Sequence, residues 1–245
     1  MGHKSGVKHL KRLATPSFWP LHRKEHAWAP KPHAGAHRSE ACLPLGLIVR
    51  EETKSATTRR ETAQILAGGN VKIDGRTRSD VNCPVGLMDV VEFQDANLTY
   101  RILPVHRRGL SLIRIPKDEA KFKLCKIMDR RTARKGTMQL ILHDGRTIGL
   151  SKEEAAPYAT NDTLRISLPT QRILSHIPFQ KSNLALVVAG RNQGKNGKVI
   201  EMQNGTATRP AMVTIEDSDG NRFDTVKDYT FIVGTDKTAI KLETS

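Results

Sequence analysis

The chain has 245 residues, 40 Lys/Arg against 25 Asp/Glu, a formal charge of +15, and only 38% hydrophobic and 4% aromatic residues. That balance argues against one large apolar core, favours several small ones, and points to a polyanionic partner without specifying a fold. No stretch approaches the roughly 20 apolar residues of a membrane span. Three scattered cysteines, Cys42, Cys83 and Cys125, form no CxxC pair, so a reducing compartment is expected, by default the cytoplasm.

Residues 1–40 hold eight Lys/Arg against two acids, six of the nine histidines and both tryptophans. With charge but no apolar central region, the start of the chain does not read as a secretory signal. A segment so poor in aliphatic residues is expected not to fold alone, yet Phe18, Trp19 and Trp28 are unfavourable to leave in water. Cations, planar rings and interspersed prolines suit folded RNA. His22 and His26 are four apart, but Pro20 and Pro30 flank them and only Cys42 lies near, so no zinc site is expected. From residue 200 onward five Lys/Arg face eight Asp/Glu, which puts the main phosphate contacts upstream.

In LPLGLIVREETK (residues 43–54) Pro44 stands near a helix start. Thr58 followed by Glu61 is a capping-box pattern opening a second helix, which Gly68-Gly69 ends. NVKIDGRTR then turns Val71 and Ile73 inward and Asn70, Lys72 and Asp74 outward, with Asp74-Gly75 as a hairpin turn. VNCPVGLMDVVEF adds a turn and a strand. The order resembles the small α-L RNA-binding domain, in which the start of the second helix would offer Arg59, Arg60 and free backbone donors to phosphates. A plain solvated helix face would also suit that pair; Lys54, Lys72, Arg76 and Arg78 extend the basic surface and favour RNA.

Short β-rich runs follow: KFKLCKIMD, TMQLILHDGRTIGL, DTLRISL and RILSHIPF, punctuated by Lys135-Gly136, Asp144-Gly145, Asn161-Asp162 and Pro169-Thr170. They predict a small barrel or sandwich. Cys125 reads as core and His143-Asp144 as a turn rather than a catalytic dyad. VVAGRNQGKNGKV (residues 187–199) looks like a KOW motif, a strand, a Gly-rich turn and a strand, with Arg191, Lys195 and Lys198 facing outward. It fails as a phosphate-binding P-loop because the glycine spacing is too short, Asn196 stands where Ser or Thr is required, and a β run follows. MVTIEDSDGNRFDTV and YTFIVG read as a hairpin and a closing strand.

Taken in order, HLKRLATPSFWPLHRK (residues 9–24), the α-L segment, KFKLCKI, HDGRTI, the KOW segment and DSDGNRFDTVKDYTFIVG resemble the ribosomal protein S4e family over essentially the whole chain. The ending IKLETS, without a basic tail, resembles the archaeal form. The resemblance implies an α+β multidomain protein: a basic arm (1–42), an α-L domain (43–104), a central β-rich domain (105–176) and a KOW-containing SH3-like domain (177–245). It implies a cytoplasmic, ribosome-bound structural constituent of the small subunit, with ribosomal RNA and neighbouring small-subunit proteins as partners. No catalysis, cofactor, metal, membrane or small-molecule substrate is expected. An RNA-modifying enzyme would need a nucleophilic Asp domain or a GxGxG loop, and residues 105–180 offer neither; a transient KOW-bearing factor would be found free of ribosomes. Candidate RNA contacts are Lys4, Lys8, His9, Lys11, Arg12, Trp19, Arg23, Lys24, Lys54, Arg59, Arg60, Lys72, Arg76, Arg78, Arg191, Lys195 and Lys198. Trp19 and Trp28 would pack either on a ribose or base or in the small core of the first domain, and the sequence leaves open which of them touches RNA. The arm is expected to be ordered only against RNA.

Overall fold

Local sequence decides the first elements. The computed structural model describes residues 9–133 and 136–242. Within the arm, β1 (Leu10–Lys11) and β2 (Trp28–Ala29) form a short antiparallel ladder that sets Lys11 opposite Trp28. Strand β3 (Cys42–Pro44) leads into the short helix α1 (Leu45–Leu47), which Pro44 precedes and a π-helical turn over Ile48–Glu52 continues. Helix α2 (Arg59–Ala67) has the predicted capping box: the Thr58 hydroxyl accepts from the Glu61 amide at 3.2 Å, and the Glu61 carboxylate accepts from the Thr58 amide at 3.2 Å.

Strands β4 (Val71–Ile73) and β5 (Arg76–Thr77) are joined by Asp74-Gly75, both at positive φ (51° and 75°), as a two-residue hairpin turn requires. Strand β6 (Pro84–Gly86) pairs with β3. Strands β7 (Val90–Phe93), β8 (Leu98–Val105) and β9 (Gly109–Arg114) complete an antiparallel sheet of order β5-β4-β7-β8-β9. This sheet carries the first unit past the expected boundary at residue 104 to Arg114, because β9 pairs along the whole length of β8. Leu43, Leu45, Ile48, Leu66, Val71, Val91 and Ile102 fill its core.

After the short helix α3 (Lys117–Ala120), a second antiparallel sheet has β10 (Phe122–Thr132) at its centre. Strands β11 (Met138–Leu142) and β12 (Thr147–Leu150) lie on one side of β10, and β13 (Thr163–Ser167) and β14 (Ile173–Ile177) on the other. Its own core is Cys125, Ile127, Leu140, Leu142, Leu164 and Ile166. The third sheet runs in the order β18-β17-β16-β15-β19. Its strands are β15 (Leu184–Val187), β16 (Asn196–Gln203), β17 (Met212–Glu216), β18 (Arg222–Val226) and β19 (Thr230–Gly234). The whole is mixed α and β, mostly β.

The three sheets do not hang as separate beads. Leu103 and Ile113 of the first, Phe122 and Leu124 of the second, and Leu186 and Phe231 of the third belong to one buried cluster. The turn between β15 and β16 adds a second contact. Gly194 sits at φ +85°, and a Cβ there would overlap the backbone nitrogen of His106 in the β8–β9 turn. The His106 Nδ1 lies 3.2 Å from the Gln193 carbonyl.

Gly194→Ala should therefore cost about 2–4 kcal/mol, from positive-φ strain plus overpacking. Gly220 is also at positive φ, with nothing within 4 Å of an added Cβ. Gly220→Ala should then cost only about 1 kcal/mol. Equal losses in urea denaturation would mean that the turn is not held against His106.

Candidate nucleic-acid interface

The arm's cations divide into those the protein keeps and those it leaves out. Arg12 is buried. Its guanidinium donates to the Glu25 carboxylate at 3.1 Å, the His22 carbonyl at 2.7 Å and the Trp28 carbonyl at 3.2 Å. It fastens the two ends of the arm's own loop, which corrects its expected role as a phosphate contact. Trp19 takes the core alternative rather than the RNA one: it is 4% exposed, sits in the first unit's core, and donates its Nε1–H to the Cys42 carbonyl at 2.9 Å. The arm from His9 onward is also ordered within the protein itself, not only against RNA, because Arg12 and Trp19 supply the internal anchors its composition lacks. Lys4 and Lys8 lie outside the described residues.

The other candidates face solvent. His9, Lys11, Arg23, Lys24, Lys54, Arg59, Arg60, Arg76, Arg78, Arg191 and Lys198 are exposed, and Lys72 and Lys195 are half-buried. Lys195 holds its ammonium 5.1 Å from the centre of the Phe223 ring. Among the described residues, none of these lysines and arginines is ion-paired with a carboxylate.

The structure gathers some of them and separates others. His9, Trp28, Lys31 and Arg59 border a cavity of about 860 Å³. Arg76 and Arg78 border a second cleft of about 570 Å³, and His33 and Ala34 wall both. Arg191 and Lys195 stand apart on the β15–β16 turn, which packs on the β8–β9 turn.

Sequence reasoning missed the most concentrated charge in the molecule. The Lys123 ammonium, fully buried, bonds to Asp74 at 2.9 Å, to Asp144 at 3.0 Å and to Asp89. Arg146 bonds to Asp144 at 3.0 Å and to Asp74, while the His37 Nε2 lies 3.0 Å from Asp89. Asp74 thus points inward, against the outward placement expected from alternation. Its backbone sits at the hairpin tip, where strand alternation no longer sets direction. Burial, with Asp89 adding to it, raises the Asp74 carboxyl even though Lys123 and Arg146 pull it down. Burial works the same way on Asp89 and Asp144 and is the largest single influence on each, but Lys123 together with His37 at Asp89, and with His143 and Arg146 at Asp144, outweighs it and holds both below the ordinary carboxylate range. Lys123 in turn is raised well above an ordinary lysine: burial opposes its charge, and the three carboxylates overcome that.

Cys125, His143 and Asp144 bring possible metal donors together. Their donors already have partners. The Lys126 amide donates to His143 Nδ1 at 3.3 Å, and His143 Nε2 lies 3.2 Å from the Leu87 carbonyl. Asp144 carries Lys123 and Arg146. Burial raises the Cys125 thiol, disfavouring the thiolate a metal would need, and burial together with Lys123 pushes His143 down to about 4. The trio's side chains tie β10 to the turn that follows β11. Among the described residues, no helix is long and apolar enough to cross a membrane.

With this geometry in hand, comparison with known proteins is specific. The model of ribosomal family S4e matches residues 96–173, and that of the RS4NT domain matches residues 1–40. Small ribosomal subunit protein eS4 of Staphylothermus marinus is 43% identical over 247 residues, covering 99% of this chain and 98% of its own. The protein of the same name from Methanocaldococcus jannaschii is also 43% identical, covering 99% of this chain and 100% of its own. The crystal structure of the 30S ribosomal protein S4e from Thermoplasma acidophilum superposes with a TM-score of 0.65 at 30% identity, covering 78% of this chain and 94% of that one. A basic chain of three fused β-rich units with these relatives is a ribosomal protein of the small subunit. It belongs to the S4e family, that of small ribosomal subunit protein eS4.

Proposed function

We propose that this chain is a non-catalytic constituent of the cytoplasmic small subunit that binds and stabilises 16S-type ribosomal RNA, with neighbouring small-subunit proteins as further partners. The observation that carries this reading is the sorting of cations: Arg12, Lys123 and Arg146 are paired inside, while Lys11, Lys24, Arg59, Arg60, Arg76 and Arg78 are exposed and paired with no carboxylate among the described residues. Exposed cations left without acids are what a phosphate backbone takes up. The two helices on the first sheet support an α-L-type unit, with Arg59 and Arg60 opening its capped helix. The glycine turn between β15 and β16 supports a KOW-type hairpin carrying Arg191, Lys195 and Lys198. Lys4, Lys8, His9, Arg23, Lys54 and Lys72 extend the contact set.

The test is a salt titration of full-length protein binding to small-subunit RNA. Replacing Lys11, Arg23, Lys24, Arg59 and Arg60 with Ala should make the slope of log K against log salt shallower by roughly 3.5–4.5 while leaving the fold intact. The wild type should also sediment with small subunits at moderate salt. An unchanged slope would sink the phosphate assignment of these five residues.

A further inference from the structure

Trp28 is the one tryptophan left to solvent, 56% exposed. It is held, not loose. Strand pairing fixes it opposite Lys11, the Arg12 guanidinium bonds its carbonyl, and the His9 ring sits 5.3 Å away, tilted 48°. Trp28 and Arg59 together wall two adjoining hollows, the 860 Å³ cavity and a smaller one of about 410 Å³. Among the described residues, the larger hollow is bordered by Arg59, Lys31 and two imidazoles, His9 and His33, and the Asp80 carboxylate stands 2.7 Å from His33 Nδ1 at its edge.

We propose that this hollow is a binding site for an unpaired nucleobase of RNA, stacked on Trp28, with Arg59 meeting the adjoining phosphate. The inference rests on the RNA-binding reading above and names what that reading leaves open: a place that takes a base rather than a backbone. The chemistry fits one ligand class. A fixed indole offers a stacking platform to any planar base. The exposed Arg59 at its rim, ion-paired with no carboxylate among the described residues, accepts the phosphate that accompanies it. A volume of about 860 Å³ lies within the roughly 300–1,000 Å³ usual for pockets holding small ligands. Folded RNA presents such bases in loops and bulges, where aromatic side chains take them up.

The experiment uses the full chain, a single-stranded oligoadenylate of eight nucleotides, a blunt RNA duplex of equal charge, and small-subunit RNA. The single strand should quench tryptophan fluorescence, and Trp28→Ala should abolish the quenching while weakening single-strand binding roughly 5- to 150-fold. Trp28→Phe should retain most of the affinity, and the salt slope should be the same in all three proteins because no phosphate contact is removed. Thermal melts of both variants matching the wild type would confirm that folding is intact, as expected for an exposed side chain. Full affinity of Trp28→Ala for the single strand, or equal quenching by the duplex, would overturn the base site and leave the RNA reading standing. Wild-type RNA binding by Trp28→Ala combined with loss from subunits reconstituted with the other ribosomal proteins would assign Trp28 to a protein neighbour and overturn the proposal. Failure of the wild type to bind any of the three RNAs would overturn both readings together.

Discussion

Lys123→Met should destabilise the chain by about 3–5 kcal/mol and lower its thermal midpoint by roughly 6–20 °C. The reason is what stays behind. The ammonium is fully buried and bonds to Asp74, Asp89 and Asp144; without it, Arg146 is the cation left beside three buried carboxylates, with the His37 imidazole against Asp89. Removing one partner of a buried ion cluster costs far more than the cluster contributes over an apolar equivalent.

The loss should also depend on pH. In the wild type, Asp89 and Asp144 are held below their ordinary values. Their contribution is complete above about pH 4 and is lost as the pH falls below it. Asp74, raised by burial, runs the other way, and protonation relieves it. Lys123, itself raised, stays charged well past neutrality. In the variant all three carboxyls rise and take up protons on folding, so its deficit should be greatest near pH 7.5 and shrink by half or more near pH 4.5. Urea denaturation at the two pH values checks this, and a deficit that does not change with pH would mean that the carboxylates are not charged together around Lys123.

Arg12→Ala should open the arm without weakening its hold on phosphate. Two backbone carbonyls, of His22 and Trp28, and one carboxylate lose their donor. Hydrogen bonds from a charged donor contribute about 1.5–3 kcal/mol each at most, and the exposed Glu25 partner adds little. A local loss of about 2–3 kcal/mol is expected, which raises the open population of the arm roughly 30- to 150-fold. Trypsin should then cut at Arg23 and Lys24 faster by a comparable factor. The slope of RNA binding against salt should stay as in the wild type. A drop of about 0.7–0.9 in that slope would return Arg12 to the phosphate contacts.

These two residues also mark where sequence was readable and where it was not. The capping box at Thr58, the Asp74-Gly75 turn and the inward Val71 and Ile73 are local matters, decided within a few residues, and the structure has them as expected. The glycines at 190 and 194 likewise take the positive φ their turn needs. Lys123 and Lys126 defeat the same logic. In KFKLCKI Cys125 reads as core and nothing local marks the lysines as buried too, yet both lie in the covered first half of β10, the central strand of its sheet. Lys126 caps the carbonyls of Asp228 and Thr230 at 2.9 Å, and burial lowers its pKa to about 8. The partners of both lysines lie far along the chain, and no periodicity announces them. In the arm the difficulty is different: Trp19 and Trp28 sit in equally aperiodic, proline-broken sequence, and only the tertiary contact with Cys42 separates a core ring from an exposed one.

The fastening of the arm sets an order of events during synthesis. Trp19 reaches across to Cys42 and to a core that includes Val91 and Ile102; His37 meets Asp89, which in turn needs Lys123. None of these contacts exists until the later residue has been made. The arm's own Arg12-fastened loop needs nothing beyond Trp28, but its attachment to the rest of the chain is complete only once Lys123 has been made.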